Sequence, residues 1–221
     1  MFSKLFGKTP VDIIPDAIWP NTEARYLGLL SEIKNRLRVD QIVIVCAHFK
    51  DTLEQLEICL KENSLNPARW QGGSLRSSFN FSPSAPTDPE LYLICSEDLS
   101  PNPGRSRFSD NEKSNIRLSF IVTEVYPTPS RYGIIKKNLK TLPCSSRLSR
   151  HISLDEKLFD LFGGEQMRGM LKQLGMNEYE ALHSSLVTRS VASAQKKIKS
   201  RALSEGPASS TEEWFQLYFR S

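Results

Sequence analysis

QIVIVCA, residues 41–47, is the stretch of this 221-residue chain that decides its fold class. It is short, continuously apolar and rich in β-branched residues, which is typical of a strand covered by helices on both faces. A helical pattern, TEARYLGLLSEIKNRL, precedes it and begins at a cap on Asn21 or Thr22. A second, KDTLEQLEICLKEN, follows it from Lys50. Helix, buried strand and helix in this order predict an α/β layer structure.

The apolar repeats predict which residues these helices bury. The expected stripes are Tyr26, Leu27, Leu30, Ile33 and Leu37 on the first helix, and Leu53, Leu56 and Leu60, with Ile58 on the flank, on the second. Further strands are predicted at LYLIC (91–95) and RLSFIVTE (117–124), and a helix at SRYGIIKKNLKTL (130–142). Two long polar stretches, 81–90 and 97–115, predict surface loops.

The segment after residue 142 predicts an edge strand through Leu148 and Ile152 that ends at Ser153. Ser153 and Glu156 form a capping-box pattern, which predicts a new helix that the pair Gly163-Gly164 stops. Methionines at helical spacing after this break indicate core packing.

The composition indicates an ordinary globular protein, with 39% apolar and 24% charged residues. A net charge of +4 gives only weak steering toward anions. The four cysteines are far apart in sequence, so we expect buried free thiols in a reducing compartment. Because no signal peptide or apolar span is evident, we expect a cytoplasmic protein, or one peripheral at the inner face of the membrane.

The motifs that carry catalytic chemistry are weak in this chain. GKT at residues 7–9 lacks the preceding strand and glycine of a phosphate-binding loop. His48, His151 and His183 are dispersed, so no metal site is expected, and His48 is interpreted as a structural histidine. Lysines 136, 137 and 140 are interpreted as a solvated helix face rather than a phosphate site. The residues alone therefore predict an α/β domain without a recognisable catalytic centre.

The C-terminal fifth of the chain predicts two helices that need an apolar partner. The first is long and basic, and the second, TEEWFQLYFR, is aromatic. The residues predicted to bind a protein partner are Val187, Val191, Ile198, Trp214 and Phe215. Whether these helices fold back on the domain or project from it stays open at this point.

Four short motifs follow one another between Ser153 and about Arg201: Phe162-Gly163-Gly164-Glu165, Leu174-Gly175-Met176, Val187-Thr188-Arg189 and Ala194-Gln195-Lys196-Lys197. In this order they resemble the segment of the SecA preprotein-translocase motor in which the second motor domain leads into the helical scaffold. The upstream half, from residue 21, resembles the second RecA-like domain more weakly.

The resemblance implies a RecA-like (P-loop NTPase type) domain over residues 21–162, after an N-terminal tail (1–20) and before a helical extension (163–221). It also implies that Glu124, Arg131, Lys137 and Lys140 are remnants of a nucleotide-facing surface. The family's Gly-Arg-Gly-Thr-Asp loop is replaced by SEDLSPNPGR, and its two closing arginines by lysines. Lysine lacks the fork of a guanidinium, so the site is degenerate.

The implied function is that of a SecA-like accessory module without catalysis, and no cofactor is expected beyond weak binding of ATP or ADP. The expected partners are proteins, namely SecA, a translocon or a preprotein, with contact to a membrane surface as an option. Nucleic acid is the least favoured partner. Two alternatives stay open: half of a split ATPase completed in trans, and a nucleic-acid-binding helicase remnant resting on the basic helix that ends at Arg201.

Overall fold

The structure is a computed structural model, and it describes residues 11–79, 88–103, 115–161, 169, 177 and 179–220. The strands are β1 (Val11–Ile13), β2 (Ala17–Trp19), β3 (Ile42–Ala47), β4 (Ala68–Arg69), β5 (Glu90–Cys95), β6 (Arg117–Val122) and β7 (Ser145–Ser153). The helices are α1 (Thr22–Arg36), α2 (Lys50–Glu62), α3 (Leu75–Ser78), α4 (Ser130–Leu139), α5 (Lys157–Leu161), α6 (Ser185–Arg201) and α7 (Thr211–Tyr218).

These strands form one sheet in the order β1-β7-β6-β3-β5-β4, and β2 also pairs with β7. All of the pairings are parallel. Helices cover the sheet, and two more helices follow it in the chain. The predicted fold class, an α/β structure with a mostly parallel sheet flanked by helices and an α-helical C-terminal extension, is confirmed.

Strand β3 shows why the sheet is buried on both faces. Its residues alternate between two apolar clusters: Ile42, Ile44 and Cys46 face one side, and Val43, Val45 and Ala47 face the other. Helices α3 and α4 pack against the first side, and α1 and α2 against the second. A strand that is buried on both faces loses the polar alternation of a half-exposed strand, as the continuous apolar run predicted.

A third apolar cluster joins the C-terminal extension to the sheet. It contains Phe49, Val125 and Leu154, which lie just past the carboxyl ends of β3, β6 and β7, together with apolar residues of α6 and α7. The extension therefore folds back and lies on the carboxyl edge of the sheet. None of the helices in the described part of the chain has the length and apolar character that a membrane span requires.

The prediction that β7 is an edge strand is wrong. β7 lies between β6 and the two short strands β1 and β2, which come from the segment that the sequence analysis assigned to an N-terminal tail. Strands of three residues are too short to show a period of two, so the pattern did not reveal them.

The stripe predicted on α1 is correct except at Leu27, whose side chain is 52% exposed. The buried face of α1 centres on Leu29 and Ile33. Leu27 is two residues from Leu29, about 200° around the helix, and therefore faces solvent. On α2 the three leucines are buried, whereas Ile58 on the flank is 59% exposed.

The cysteines are free thiols, as predicted. Cys46, Cys95 and Cys144 are buried and Cys59 is half-buried. Burial raises the pKa of Cys95 to about 11 and that of Cys144 to about 12. These thiols stay protonated at neutral pH, which suits packing rather than nucleophilic chemistry.

Candidate functional site at the carboxyl edge of the sheet

The carboxyl edge of the sheet gathers the polar side chains that follow β3, β5 and β6. In open α/β sheets, ligands bind outside this edge. Here it carries His48, Ser96 and Glu124, all of them buried. The candidate site is therefore built from the three neighbouring strands at the centre of the sheet.

Glu124 lies at this edge, where the sequence placed a nucleotide-facing residue, but its carboxylate is bonded within the chain. Oε1 accepts hydrogen bonds from the backbone N–H groups of His48 at 2.6 Å and Phe49 at 3.1 Å, and Oε2 accepts one from the Thr52 hydroxyl at 2.8 Å. Phe49 is the N-cap residue of α2 and has no capping side chain of its own. Glu124 therefore caps α2 from a distant strand, where a negative charge also suits the helix dipole.

Burial raises the pKa of Glu124 to about 7, despite the opposing influence of Arg25. The neighbouring Glu156 also has a pKa raised by burial, although it pairs with Arg25 at 3.0 Å. Glu156 accepts the backbone N–H groups of Ser153 at 2.9 Å and Val125 at 2.8 Å. Its bond to Ser153 is one half of the predicted capping box, and its bond to Val125 ties the start of α5 to the loop after β6.

His48 is bonded and packed within the chain, which agrees with its interpretation as a structural histidine. Its Nδ1 lies 2.8 Å from the Ser96 hydroxyl, and its ring meets the edge of Tyr126 with centroids 5.5 Å apart. Burial lowers the pKa of His48 to about 3, with further lowering by Arg150 and Arg131. The ring is therefore neutral over the physiological range.

The structure separates the other predicted nucleotide-facing residues. Arg131 lies in the first turn of α4, beside the carboxyl edge, with its guanidinium carbon 5.6 Å from the centroid of the Tyr126 ring. Lys137 lies in the second half of α4 and Lys140 directly follows the helix, and both are exposed. Lys140 is nine residues after Arg131, about 13 Å along the helix axis. Glu124 and Arg131 are brought to one edge, and the two lysines lie toward the other.

A buried ion pair beside this edge was not predicted from the sequence. Arg150 of β7 makes two hydrogen bonds to Asp16, at 3.0 and 2.6 Å, and both residues are buried. The guanidinium of Arg150 also lies 4.7 Å from the centroid of the Tyr132 ring. An arginine within a predicted strand was the available signal, but its partner is 134 positions away in sequence.

The residues predicted to bind a protein partner are covered by the chain itself. Val191, Ile198, Trp214 and Phe215 are buried, and Val187 packs against the same cluster. Trp214 is fully buried and its ring lies 5.9 Å from that of Tyr126. These side chains are thus the intramolecular contact that holds the extension on the edge.

Polar contacts also hold the extension on the carboxyl edge. The side-chain amide of Gln195 donates to the backbone carbonyls of Tyr126 at 2.7 Å and Thr128 at 3.3 Å. The Ser130 hydroxyl donates to Glu205 at 2.6 Å. The backbone N–H of Asp51, in the first turn of α2, donates to the carbonyl of Ser209 at 3.1 Å. The extension therefore contacts the loop after β6 and the start of both α2 and α4.

Several of the groups at this edge that could hold a phosphate already have partners within the chain. Phosphate sites are built from free backbone N–H groups and unpaired cations. The N–H groups of His48 and Phe49 already bond to Glu124, and Arg150 is paired with Asp16. Several residues of the motifs that carry the resemblance, including Gly163 and Gly164, lie outside the described residues, as do residues 1–10 and 104–114.

Comparison with known proteins locates a similarity to SecA in part of the chain. The SecA 1 subunit of the protein translocase of Rhodopirellula baltica is 46% identical over 50 residues, the SecA subunit of Alkaliphilus oremlandii 46% over 59 residues, and that of Helicobacter hepaticus 45% over 49 residues. These alignments cover 22–27% of this chain but only 4–6% of the length of each relative. The chain therefore contains a SecA-related region.

No protein-family model matches the chain. Among solved structures, the C-terminal part of the Fun30 ATPase domain is similar with a TM-score of 0.41 and 12% sequence identity, over 79% of this chain and 54% of that chain. A likeness of this degree carries no conclusion about activity.

Proposed function

We propose that this chain is a SecA-related accessory module that binds a protein of the translocation machinery and does not hydrolyse ATP by itself. The observation that carries the proposal is the occupied carboxyl edge. Glu124 caps α2 there, and Trp214 packs against Tyr126. A nucleotide that used this edge would have to displace both. The expected location is the cytoplasm, or the inner face of the membrane.

The nucleotide half of the proposal is tested by isothermal titration with Mg·ATP and by phosphate release. We expect no saturable heat and no turnover by the chain alone. An Arg131→Gln variant is the matched control, because Arg131 is the half-buried cation beside the edge. Tight ATP binding with hydrolysis that Arg131→Gln abolishes would contradict the proposal.

The partner half is tested with purified full-length SecA by surface plasmon resonance. If the partner uses the predicted face, hydrogen exchange of the carboxyl edge that residues 185–219 cover should speed up when SecA is added, because that face is buried against the edge in the free chain. If it uses another face, binding should occur without this change. Absence of binding to SecA, a translocon and a preprotein would contradict the proposed role.

A second candidate, half of a split ATPase completed in trans, is favoured by the position of Arg131. A guanidinium in the first turn of α4, beside the carboxyl edge, could contact a phosphate held by another domain. Mixing the chain with a separate first motor domain that carries a P-loop tests this candidate. ATP turnover that requires both proteins and is lost in Arg131→Gln would support it over the non-catalytic role.

A further inference from the structure

Helix α6 carries a dense group of positive charges. Its 17 residues include five cations, Arg189, Lys196, Lys197, Lys199 and Arg201, and no acidic residue. The net charge of the entire chain is +4. The helix contributes +5, so the remaining residues together carry a net charge of −1. The helix is therefore a local concentration of positive charge that the weak overall balance conceals.

All five cations are exposed, because the opposite face of α6 is the one packed on the sheet. No ion pair within the described residues involves Arg189, Lys196, Lys199 or Arg201. Like charges three or four residues apart destabilise a helix by about 0.2–0.5 kcal/mol per pair. A helix that keeps such repulsion on its free face is suited to an anionic partner.

The residues between the cations point to the kind of anion. Arg189, Ser193, Lys196 and Ser200 follow one another at helical spacing along the exposed face. Hydroxyl and cationic side chains are the groups that contact nucleic-acid phosphates, and small residues let a strand come close. From Arg189 to Arg201 the row extends about 18 Å, which is enough for several consecutive phosphates.

Other anionic surfaces fit this face less well. Protein interfaces bury an apolar core that is poor in lysine, whereas nucleic-acid interfaces are more polar and far more positively charged. A membrane-surface helix turns an apolar face to the lipid, but the apolar face of α6 is buried against the sheet. The exposed Leu186 lies ten residues before Lys196, at the far end of the helix.

We propose that the exposed face of α6 binds the phosphate backbone of nucleic acid without sequence preference. This function is separate from the proposed role in translocation and does not depend on it. With four to five phosphate contacts, the logarithm of the binding constant for duplex DNA should fall against the logarithm of salt concentration with a slope of about −4.

The test is fluorescence anisotropy with labelled single-stranded and duplex oligonucleotides at several salt concentrations. Lys196→Gln/Lys199→Gln should weaken binding about tenfold or more and make the slope shallower by about 2. Lys34→Gln/Arg38→Gln is the matched control, because it removes two exposed cations, one in the last turn of α1 and one just after it, and changes the net charge equally. It should bind like the natural chain. Lys196→Arg/Lys199→Arg should also retain binding, which separates loss of charge from misfolding.

Three results would overturn the proposal. One is no binding to either oligonucleotide at about 50 mM salt. Another is an equal loss of affinity in the Lys34→Gln/Arg38→Gln control, which would reflect net charge alone. The third is variant-sensitive binding to vesicles of anionic phospholipid without binding to oligonucleotides, which would assign the face to a membrane surface.

Discussion

Replacing Glu124 with glutamine should make the stability of this protein rise more steeply with pH between pH 4.5 and 6.5. The buried edge holds two groups whose pKa values are shifted in opposite directions. Burial raises the pKa of Glu124 from 4.5 to about 7 and lowers that of His48 from 6.5 to about 3. Their contributions to pH-dependent stability therefore have opposite signs.

The sign of each contribution follows from which state holds the proton. Between pH 4.5 and 7 the folded state keeps a proton on Glu124 that the unfolded state has released, so the free energy of unfolding falls as pH rises. Between pH 3 and 6.5 the unfolded state holds a proton on His48 that the folded state lacks, so the free energy of unfolding rises with pH. Each contribution amounts to about 1.4 kcal/mol per pH unit, and the two cancel where the windows overlap.

Replacing one of these two residues should reveal the pH dependence of stability that the other contributes. In Glu124→Gln the slope of unfolding free energy against pH should exceed that of the natural chain by about 1.4 kcal/mol per pH unit, or about 3 kcal/mol across the overlap. His48→Gln should change the slope by the same amount in the opposite direction. Both variants also lose hydrogen bonds, which lowers stability at every pH without changing these slopes.

The assay is urea unfolding at pH 4.5, 5.5 and 6.5, followed by circular dichroism, with m-values compared across variants. Glu57→Gln is the control, because the hydrogen bond from Lys61 and the neighbouring Arg69 hold the Glu57 pKa below 4.5. Its slope should match that of the natural chain in this window. A Glu124→Gln slope equal to that of the natural chain would refute the reasoning, because it would mean that Glu124 is ionised in both states.

Substitutions at three further places test the packing. Trp214→Ala should lower the free energy of unfolding by about 3–5 kcal/mol, since the ring is fully buried, and should make the extension sensitive to limited proteolysis. Unchanged protease resistance would count against the role of Trp214 in holding the extension on the sheet. Gly28→Ala should lower the free energy of unfolding by about 1–3 kcal/mol in urea, because a Cβ at this position would lie 1.9 Å from the indole ring of Trp19 in β2. Gly133→Ala is the control, because a Cβ there meets open space, and it should be neutral or stabilising by up to about 1 kcal/mol. Arg150→Met should lower the free energy of unfolding by about 3–5 kcal/mol, because it leaves Asp16 buried without its partner. Arg150→Met/Asp16→Leu should recover part of this loss. Equal stability of Arg150→Met and the natural chain would contradict the prediction.

The elements with strong local patterns were predictable from the sequence. The runs at 41–47, 91–95 and 117–124 became β3, β5 and β6, because a buried parallel strand is apolar along its whole length. Helices α1 and α2 were predictable because their apolar stripes repeat with the period of the helix. A resemblance to SecA was recognisable because residues 153–201 carry short motifs in the family's order, although the central part of these residues lies outside the described part of the chain.

The candidate site was predictable only in part. The sequence placed Glu124 at the end of β6, but it could not show that the carboxylate caps α2, because donor and acceptor are 72 to 76 positions apart. It identified the apolar faces of α6 and α7 but left their partner open. An apolar stripe predicts that one face of a helix is buried, but it does not identify the residues that cover that face.

The sequence by itself determined the α/β class, the order in which the central strands and helices follow one another along the chain, and the charge that α6 carries. Only the tertiary structure decided that β1 and β2 pair with β7, that Arg150 meets Asp16, and that the extension closes the carboxyl edge. The physical reason is the range of the interactions. Periodicity and capping act over a few residues, whereas these contacts join distant residues, 69 positions apart for Gln195 and Tyr126 and 134 for Arg150 and Asp16, and exist only once the sheet has set the register.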